Sequence, residues 1–364
     1  MIQKGRAMNL RDRMGFGWIV SCGMPAYGTL AGIRYDLLFH DADAIIEAYR
    51  KGKPAAMELF GPDVSYGGPG WAGISYGHIN CLGAELIFPE DSEVAHRPIY
   101  RSLEEGIQAL RRDIDFSTAG LMPFYLRLRE RLKAAFPQEK IFLSAFSAEG
   151  PLTTGWALRG HDFFTDLIEN PDAAKEYLCC VTESIIAYRR FVQRVDGLSP
   201  SESAAVGLCD DVSAMVSPRL WPELVMPYLE RYYAGQSARR RTAHIEDLRV
   251  EHLHFLDELR LAEFDPSVSP RLTPALIRDN CSVPFNWRLN CMQLRDMPEE
   301  AIRDWVFSAA ADGASRVTLA ISRTMCTPAA AARVRAFISA AKEAKAILDS
   351  GKPREALHAR TRRD

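Results

Sequence analysis

From residue 204 onward the chain repeats one rhythm five times: a short apolar run, then a stretch with helical spacing of apolar residues. AAVGLC (204–209) precedes a helix over 219–236, and RRTAHI (240–245) one over 250–259. LAEFD (261–265) precedes a helix over 273–280, SVPFNW (282–287) one over 298–311, and RVTLAIS (316–322) one over 328–348. Strands that alternate with helices run parallel, because each helix carries the chain back to the edge where the last strand began. Such strands are buried on both faces. Two or three further apolar runs lie upstream, so the count approaches eight. The expectation is an α/β fold: a closed (β/α)8 TIM-type barrel over residues 71–348 rather than an open doubly wound sheet. No GxGxxG or GxxxxGK[ST] follows any run, which argues against dinucleotide and P-loop sites.

The first half is less regular. Residues 1–70 are rich in Gly and Pro and read as an irregular N-terminal extension packed on the barrel. One helix stands out there, DADAIIEAYRKGKPAAMELF (41–60), with Asp41 as its cap and Pro54 as a break or kink. GPDVSYGGPGWAGISYG (61–77) has six glycines and three aromatics. It suits close approach of backbone to a ligand and suits a surface loop equally. AELIF (84–88) and KIFLSAFS (140–147) read as strands. Helices are expected over 102–113, 124–135, 161–169 and 171–194, the last with Pro171 at its first turn. Residues 349–364 are basic and read as a frayed tail.

Composition sets the class. With 364 residues, 47% hydrophobic and 25% charged, the chain can bury one large core or two smaller ones. Its net charge of −2 is spread along the sequence, so no basic patch points to nucleic acid. No apolar run reaches the roughly 18 residues of a membrane helix, and the start lacks a secretory core and cleavage site. A cytoplasmic protein is expected. The eight cysteines are scattered without a CxxC, as reduced thiols are.

In a parallel barrel the reactive groups lie at the C-terminal ends of the strands. The residues expected there are Asp210 and Asp211, His244 and Glu246, Asp265, Asn286, and 323–326 ending in Cys326. His244 and Glu246, two apart at a strand end, point the same way. With the Cys326 thiolate they make an imidazole–carboxylate–thiolate set that suits zinc with one position open. Each has a plainer reading: Glu246 pairing with Arg240 or Arg241, Cys326 buried as a small hydrophobe, Asp265 capping the turn before Pro266. One of Asp210 and Asp211 orients substrate or a ligand while the other caps the turn. Tyr66, Tyr76, His78 and Trp156 are candidate pocket walls. His252 and His254 fall on different sides of a helix, read as solvent-side, and are discounted.

Three segments carry a resemblance. GPLTTGWALRG (150–160), DLIENPDAAKEYLCCVTESIIAY (166–188) and DDVSAMVSPRLWPELVMPYLERY (210–232) are similar, in the same order, to segments of the uroporphyrinogen decarboxylase superfamily, which includes the cobamide-dependent methyltransferases. The resemblance covers roughly residues 83–345. The decarboxylase's own signatures are missing. Its N-terminal RQAGRYxPE is absent, its substrate-binding aspartate falls near Ile74, its LxTYM tyrosine at about Trp156 or Ala157, and its GHG histidine in 324–326. The methyltransferase branch has an H-x-C pair and a distant Cys that bind zinc; here the pattern is H-x-E…C, with Glu246 in place of the first Cys.

The resemblance implies a zinc-dependent methyltransferase that moves a methyl group between a corrinoid, such as methylcobalamin, and a small methyl donor or acceptor. His244, Glu246 and Cys326 would hold the zinc, and Asp210, Asp211 and Asp265 would act at the reacting centre. No DxHxxG corrinoid motif occurs, so a partner corrinoid protein or free cobamide would supply the cobalt. A homodimer is left open. The alternatives are a metal-free decarboxylase-like lyase and a non-catalytic member that binds a corrinoid or tetrapyrrole.

Overall fold

The computed structural model describes residue 11 and residues 14–198 and 205–361. Ala204 and residues 362–364, parts of an expected strand and tail, lie outside these. Nine strands are formed among the described residues: β1 (Gly17–Cys22), β2 (Ser65–Tyr66), β3 (Leu86–Ile87), β4 (Ala95–His96), β5 (Ala205–Cys209), β6 (Arg240–His244), β7 (Glu263–Asp265), β8 (Asn286–Arg288) and β9 (Arg316–Ala320). By contact density the chain forms two compact units. One comprises residues 1–21, 59–65 and 242–364, the other 22–58 and 66–241.

The first unit holds the parallel array that the rhythm of the second half demands. Thr242–His244 pairs with Glu263–Asp265, and Phe264 bridges to Phe285. Asn286–Arg288 then pairs with Arg316–Thr318, and Gly17–Ser21 with Arg316–Ala320, all in parallel. Side chains alternate across these strands. Ala243, Phe264, Val317 and Leu319 are buried in the core, while their strand neighbours turn to the other face. The helices Glu299–Ala311 and Pro328–Asp349 follow β8 and β9, the second capped by the Thr327 hydroxyl on Ala330 N.

Three expectations change here. The N-terminal stretch is not an irregular extension, since β1 pairs in parallel with β9 over five residues. Its GWIVSC sequence is too short and glycine-rich to show a clear period. The tail is not frayed over Arg354–Arg360: Leu357 is buried and Arg354 donates to the carbonyls of Ala310 and Ala314. The SVPFNW strand shrinks to Asn286–Arg288, with Pro284 ahead of it unable to donate to a ladder.

In the second unit the helix over residues 41–60 forms as expected, with Asp41 accepting from Ala44 N at 3.0 Å. Pro54 does not break it. A π-helical turn at Ala48–Gly52 takes up the missing N–H and the ring's clash with the preceding turn, and the helix resumes as Lys53–Phe60. AELIF does not add a parallel strand; β3 pairs antiparallel with β4 in a small hairpin. KIFLSAFS is reduced to a 3-10 turn at Leu143–Ala145 and one parallel bridge, Phe146 to Ile74. The glycine-rich segment serves packing: Trp71 is buried against Tyr125, and a side chain at Gly77 would meet Phe146 at 2.8 Å. Among the described residues no helix is long and apolar enough to cross a membrane.

Gly52 marks the tightest contact of this unit, because a Cβ there would lie 2.0 Å from the Tyr27 carbonyl oxygen. Backbone cannot yield as a side-chain tip can. Gly52→Ala is expected to lower the unfolding free energy by more than about 2 kcal/mol in urea, as overpacking against backbone does. Gly68→Ala, where nothing lies within 4 Å, is the control and should change little.

Candidate functional site

Adjacent parallel strands in register place His244 beside Asp265 at the ends of β6 and β7. Asp265 Oδ2 lies 3.1 Å from His244 Nδ1 and 2.5 Å from Arg288 Nη2 at the end of β8. Its Oδ1 accepts from Ser267 N at 2.9 Å, and Arg288 Nη1 reaches Ser267 Oγ at 3.4 Å. Both strands leave through a residue in the left-handed region, Asp247 (φ 58°) and Ser267 (φ 54°), which turns the chain sharply away after each site residue. Burial works to raise the pKa of Asp265. The bonds and charges from His244 and Arg288, with the Ser267 amide, outweigh it and hold the carboxyl below the ordinary value.

With Asp265 on Nδ1, the second ring nitrogen of His244 faces Glu246, whose Oε1 is 3.5 Å from Nε2. Carboxylates on both sides of one imidazole make the space beside Nε2 favourable for a positively charged group. Zinc bonds to N and O of roughly 2.0–2.2 Å at a tetrahedral angle span roughly 3.3–3.5 Å between the two ligand atoms. A carboxylate on the opposite ring nitrogen is the usual way a metal-ligating histidine is oriented. His244 and Glu246 therefore fit a cation between them.

The third donor of the expected set is not gathered. Among the described residues no group of three His, Cys, Asp or Glu side chains is arranged to hold a metal ion. Cys326, half-buried, has its thiol 3.9 Å from the Ser322 carbonyl, and burial pushes its pKa up to about 11. The carboxylate nearest to His244 beyond Glu246 is that of Asp265, on the far ring nitrogen.

Other expected site residues fall elsewhere. Asn286 begins β8 rather than ending it, and its Oδ1 accepts from Arg316 Nη1 at 3.4 Å, beside the Arg316–Glu263 pair at 2.5 Å. The place assigned to it belongs to Arg288, two residues on and on the same face. The alternation of NWR was the available signal, and it was read one pleat too early. Asp210 is wholly buried and accepts from the Thr153 and Leu152 amides at 2.7 and 3.3 Å, at the N-terminus of the helix Pro151–Arg159. Burial raises its pKa to about 7 against those bonds. It is a fixed part of the fold's interior, and Asp211, half-buried, begins the 3-10 turn that follows.

His78 is not a pocket wall. It is buried among Phe116 and Tyr188 with Nε2 2.9 Å from Ser184 Oγ, and burial pushes its pKa down to about 3. Tyr66 is half-buried and donates to the Ala56 carbonyl at 3.2 Å. Tyr76 and Trp156 do line one cavity, of about 440 Å³, together with His96 and His161, which the sequence reading missed.

The family model for uroporphyrinogen decarboxylase (URO-D) matches residues 76–343. Among solved structures the chain is similar to a methyltransferase from Methanosarcina mazei, at a TM-score of 0.66 and 14% identity, over 92% of this chain and 99% of that one. The likeness shows a shared TIM-barrel-like α/β fold. No curated protein sequence matches the chain.

The buried Asp210 gives a pH signature. The folded carboxyl titrates at about 7 and an unfolded one at about 3.9, so the native state holds more protons between those values and stability falls as pH rises through them. Asp210→Asn removes that slope. Urea unfolding at pH 4.5 and 7.5 should show the parent losing on the order of 2–4 kcal/mol relative to the variant over this range. A difference that does not change with pH would show that Asp210 is ionised throughout.

Proposed function

Since the chain belongs to the uroporphyrinogen decarboxylase family, we propose that it is a methyltransferase of that family, moving a methyl group between a corrinoid and a small substrate at the strand-end cluster of His244, Glu246, Asp265 and Arg288. The observation that carries this reading is His244 held between two carboxylates, with Nδ1 fixed by Asp265 and Nε2 turned to Glu246 at 3.5 Å. The similarity to a methyltransferase supports it. So does the residue near the decarboxylase's aspartate position, Ile74, which is buried and apolar and offers no carboxylate to a pyrrole N–H.

Each residue has a part in the proposal. Arg288 neutralises Asp265 and keeps it ionised. Asp265 then fixes the tautomer and plane of the His244 ring, so that Nε2 is presented rather than free to rotate. Glu246 adds an anionic oxygen beside Nε2, which favours a cationic or proton-bearing group there. A zinc ion held by His244 and Glu246, with Cys326 as third donor, would supply Lewis acidity to a substrate oxygen, nitrogen or sulfur. The hard carboxylate in place of a second thiolate suits an oxygen or nitrogen substrate better than a purely thiolate site does. The corrinoid would come from a partner protein or free cobamide, in the cytoplasm. The closed (β/α)8 barrel expected over residues 71–348 belongs to the same proposal.

The test is methyl transfer from small methoxy and methylammonium compounds to cob(I)alamin, which releases the alcohol or amine, and from methylcobalamin to thiols, which returns cob(I)alamin, each followed by the visible spectrum of the corrinoid. The parent protein should change the cobalt spectrum with at least one class of substrate. His244→Ala should lose at least about 100-fold, the upper end of what outer-shell partners of a metal ligand contribute. Conversion of uroporphyrinogen to coproporphyrinogen, with no change in the corrinoid, would overturn the reading in favour of a lyase.

A further inference from the structure

The cavity of about 440 Å³ in the unit of residues 22–58 and 66–241 is walled by four aromatic rings, with Val94 and Pro98 beside them. Their arrangement restricts what can sit there. His96 lies 4.2 Å from Tyr76 at 56° between planes, 5.9 Å from Trp156 at 90°, and Trp156 lies 5.9 Å from His161 at 66°. A flat ligand wants two parallel faces to slide between, and successive walls inclined at 56°, 90° and 66° offer none. They form a box, which fits a compact, roughly spherical group.

The box has no Asp, Glu, Lys or Arg in its walls, and its surroundings are acidic. The π-faces of Trp and Tyr carry the negative side of the ring quadrupole, and a cation over them is attracted. The carboxylates of Glu149, Glu93 and Asp211 act on the Tyr76 hydroxyl, which burial and those charges keep protonated. Burial also disfavours the charged form of His96, so this wall does not repel a cation. The His96 Nδ1 is buried and has no hydrogen-bond partner among the described residues, which leaves a neutral ring nitrogen that can accept from, or in its other tautomer donate to, a hydroxyl on the ligand.

We propose that this cavity binds a small quaternary or methylated ammonium compound, its methylated head boxed by Tyr76, His96 and Trp156 and its polar end within reach of His96. The proposal is of a binding site and stands on the cavity alone.

Calorimetric titration without corrinoid tests it. Choline and tetramethylammonium are the probes, and 3,3-dimethylbutanol, which has the shape of choline without its charge, is the control. Choline should bind, with the uncharged analogue at least tenfold weaker. Trp156→Ala should weaken choline at least tenfold with an unchanged unfolding temperature. Tyr76→Phe, which keeps the ring, should bind within about threefold of the parent, and Tyr76→Leu should not. Equal binding of the uncharged analogue, tighter binding of a flat methoxybenzene than of choline, or undiminished binding by folded Trp156→Ala and Tyr76→Leu would each overturn the proposal.

Discussion

The carboxylate of Asp265 is the contact on which the candidate site depends. One oxygen meets both the His244 imidazole and the Arg288 guanidinium, and the other takes the Ser267 amide. Three strands are thereby tied together at their C-terminal ends by a single anion. A half-buried carboxylate with these partners keeps its charge, and a charged acceptor on Nδ1 decides which way the histidine faces. The next residue but one, Glu246, then meets the remaining nitrogen. Without Asp265 the ring could turn and the pair would lose its direction. With it, the strand end presents one nitrogen and one carboxylate oxygen spaced for a shared cation.

The polar face of the first unit is layered by strand alternation. Glu263, Asn286 and Arg316 begin β7, β8 and β9 and interact with one another; Asp265 and Arg288 end β7 and β8 beside His244. Two residues separate the layers, one pleat of the sheet. This explains why Asn286 and Arg288 have different roles although both lie on the same face of one three-residue strand. Asp210, one residue past β5, is buried rather than exposed for a different reason. Its oxygens are spent on the amides of a helix N-terminus, where an anion is well placed to satisfy donors that the helix leaves open.

Much of the scaffold was legible in the sequence because parallel strands with intervening helices have a strong, local signature. The rhythm from residue 204 onward, the Asp41 cap, and the placing of His244 and Glu246 on one side all follow from short-range signals. What was missed depends on long-range contact. GWIVSC becomes a strand because β9 lies beside it, and AELIF becomes a hairpin because Ala95–His96 pairs back on it. His78 looked available until Phe116, Tyr188 and Ser184 closed around it. His96 and His161 carried no motif; only the fold brings them to Trp156. Cys326 is eighty residues from Glu246 in sequence, and spacing alone could not say whether its thiol would join the pair.

The proposal to be tested is that the His244–Glu246 pair binds zinc and that Cys326, which is not gathered with them in this structure, joins as the third protein donor on binding. Zinc-edge X-ray absorption of the purified protein tests it most directly. The account predicts one zinc per chain with a single sulfur at about 2.3 Å and lighter ligands at about 2.0–2.1 Å, the sulfur lost in Cys326→Ala and the metal lost in His244→Ala. Protein that takes up no zinc, or zinc unaffected by either substitution, would contradict it.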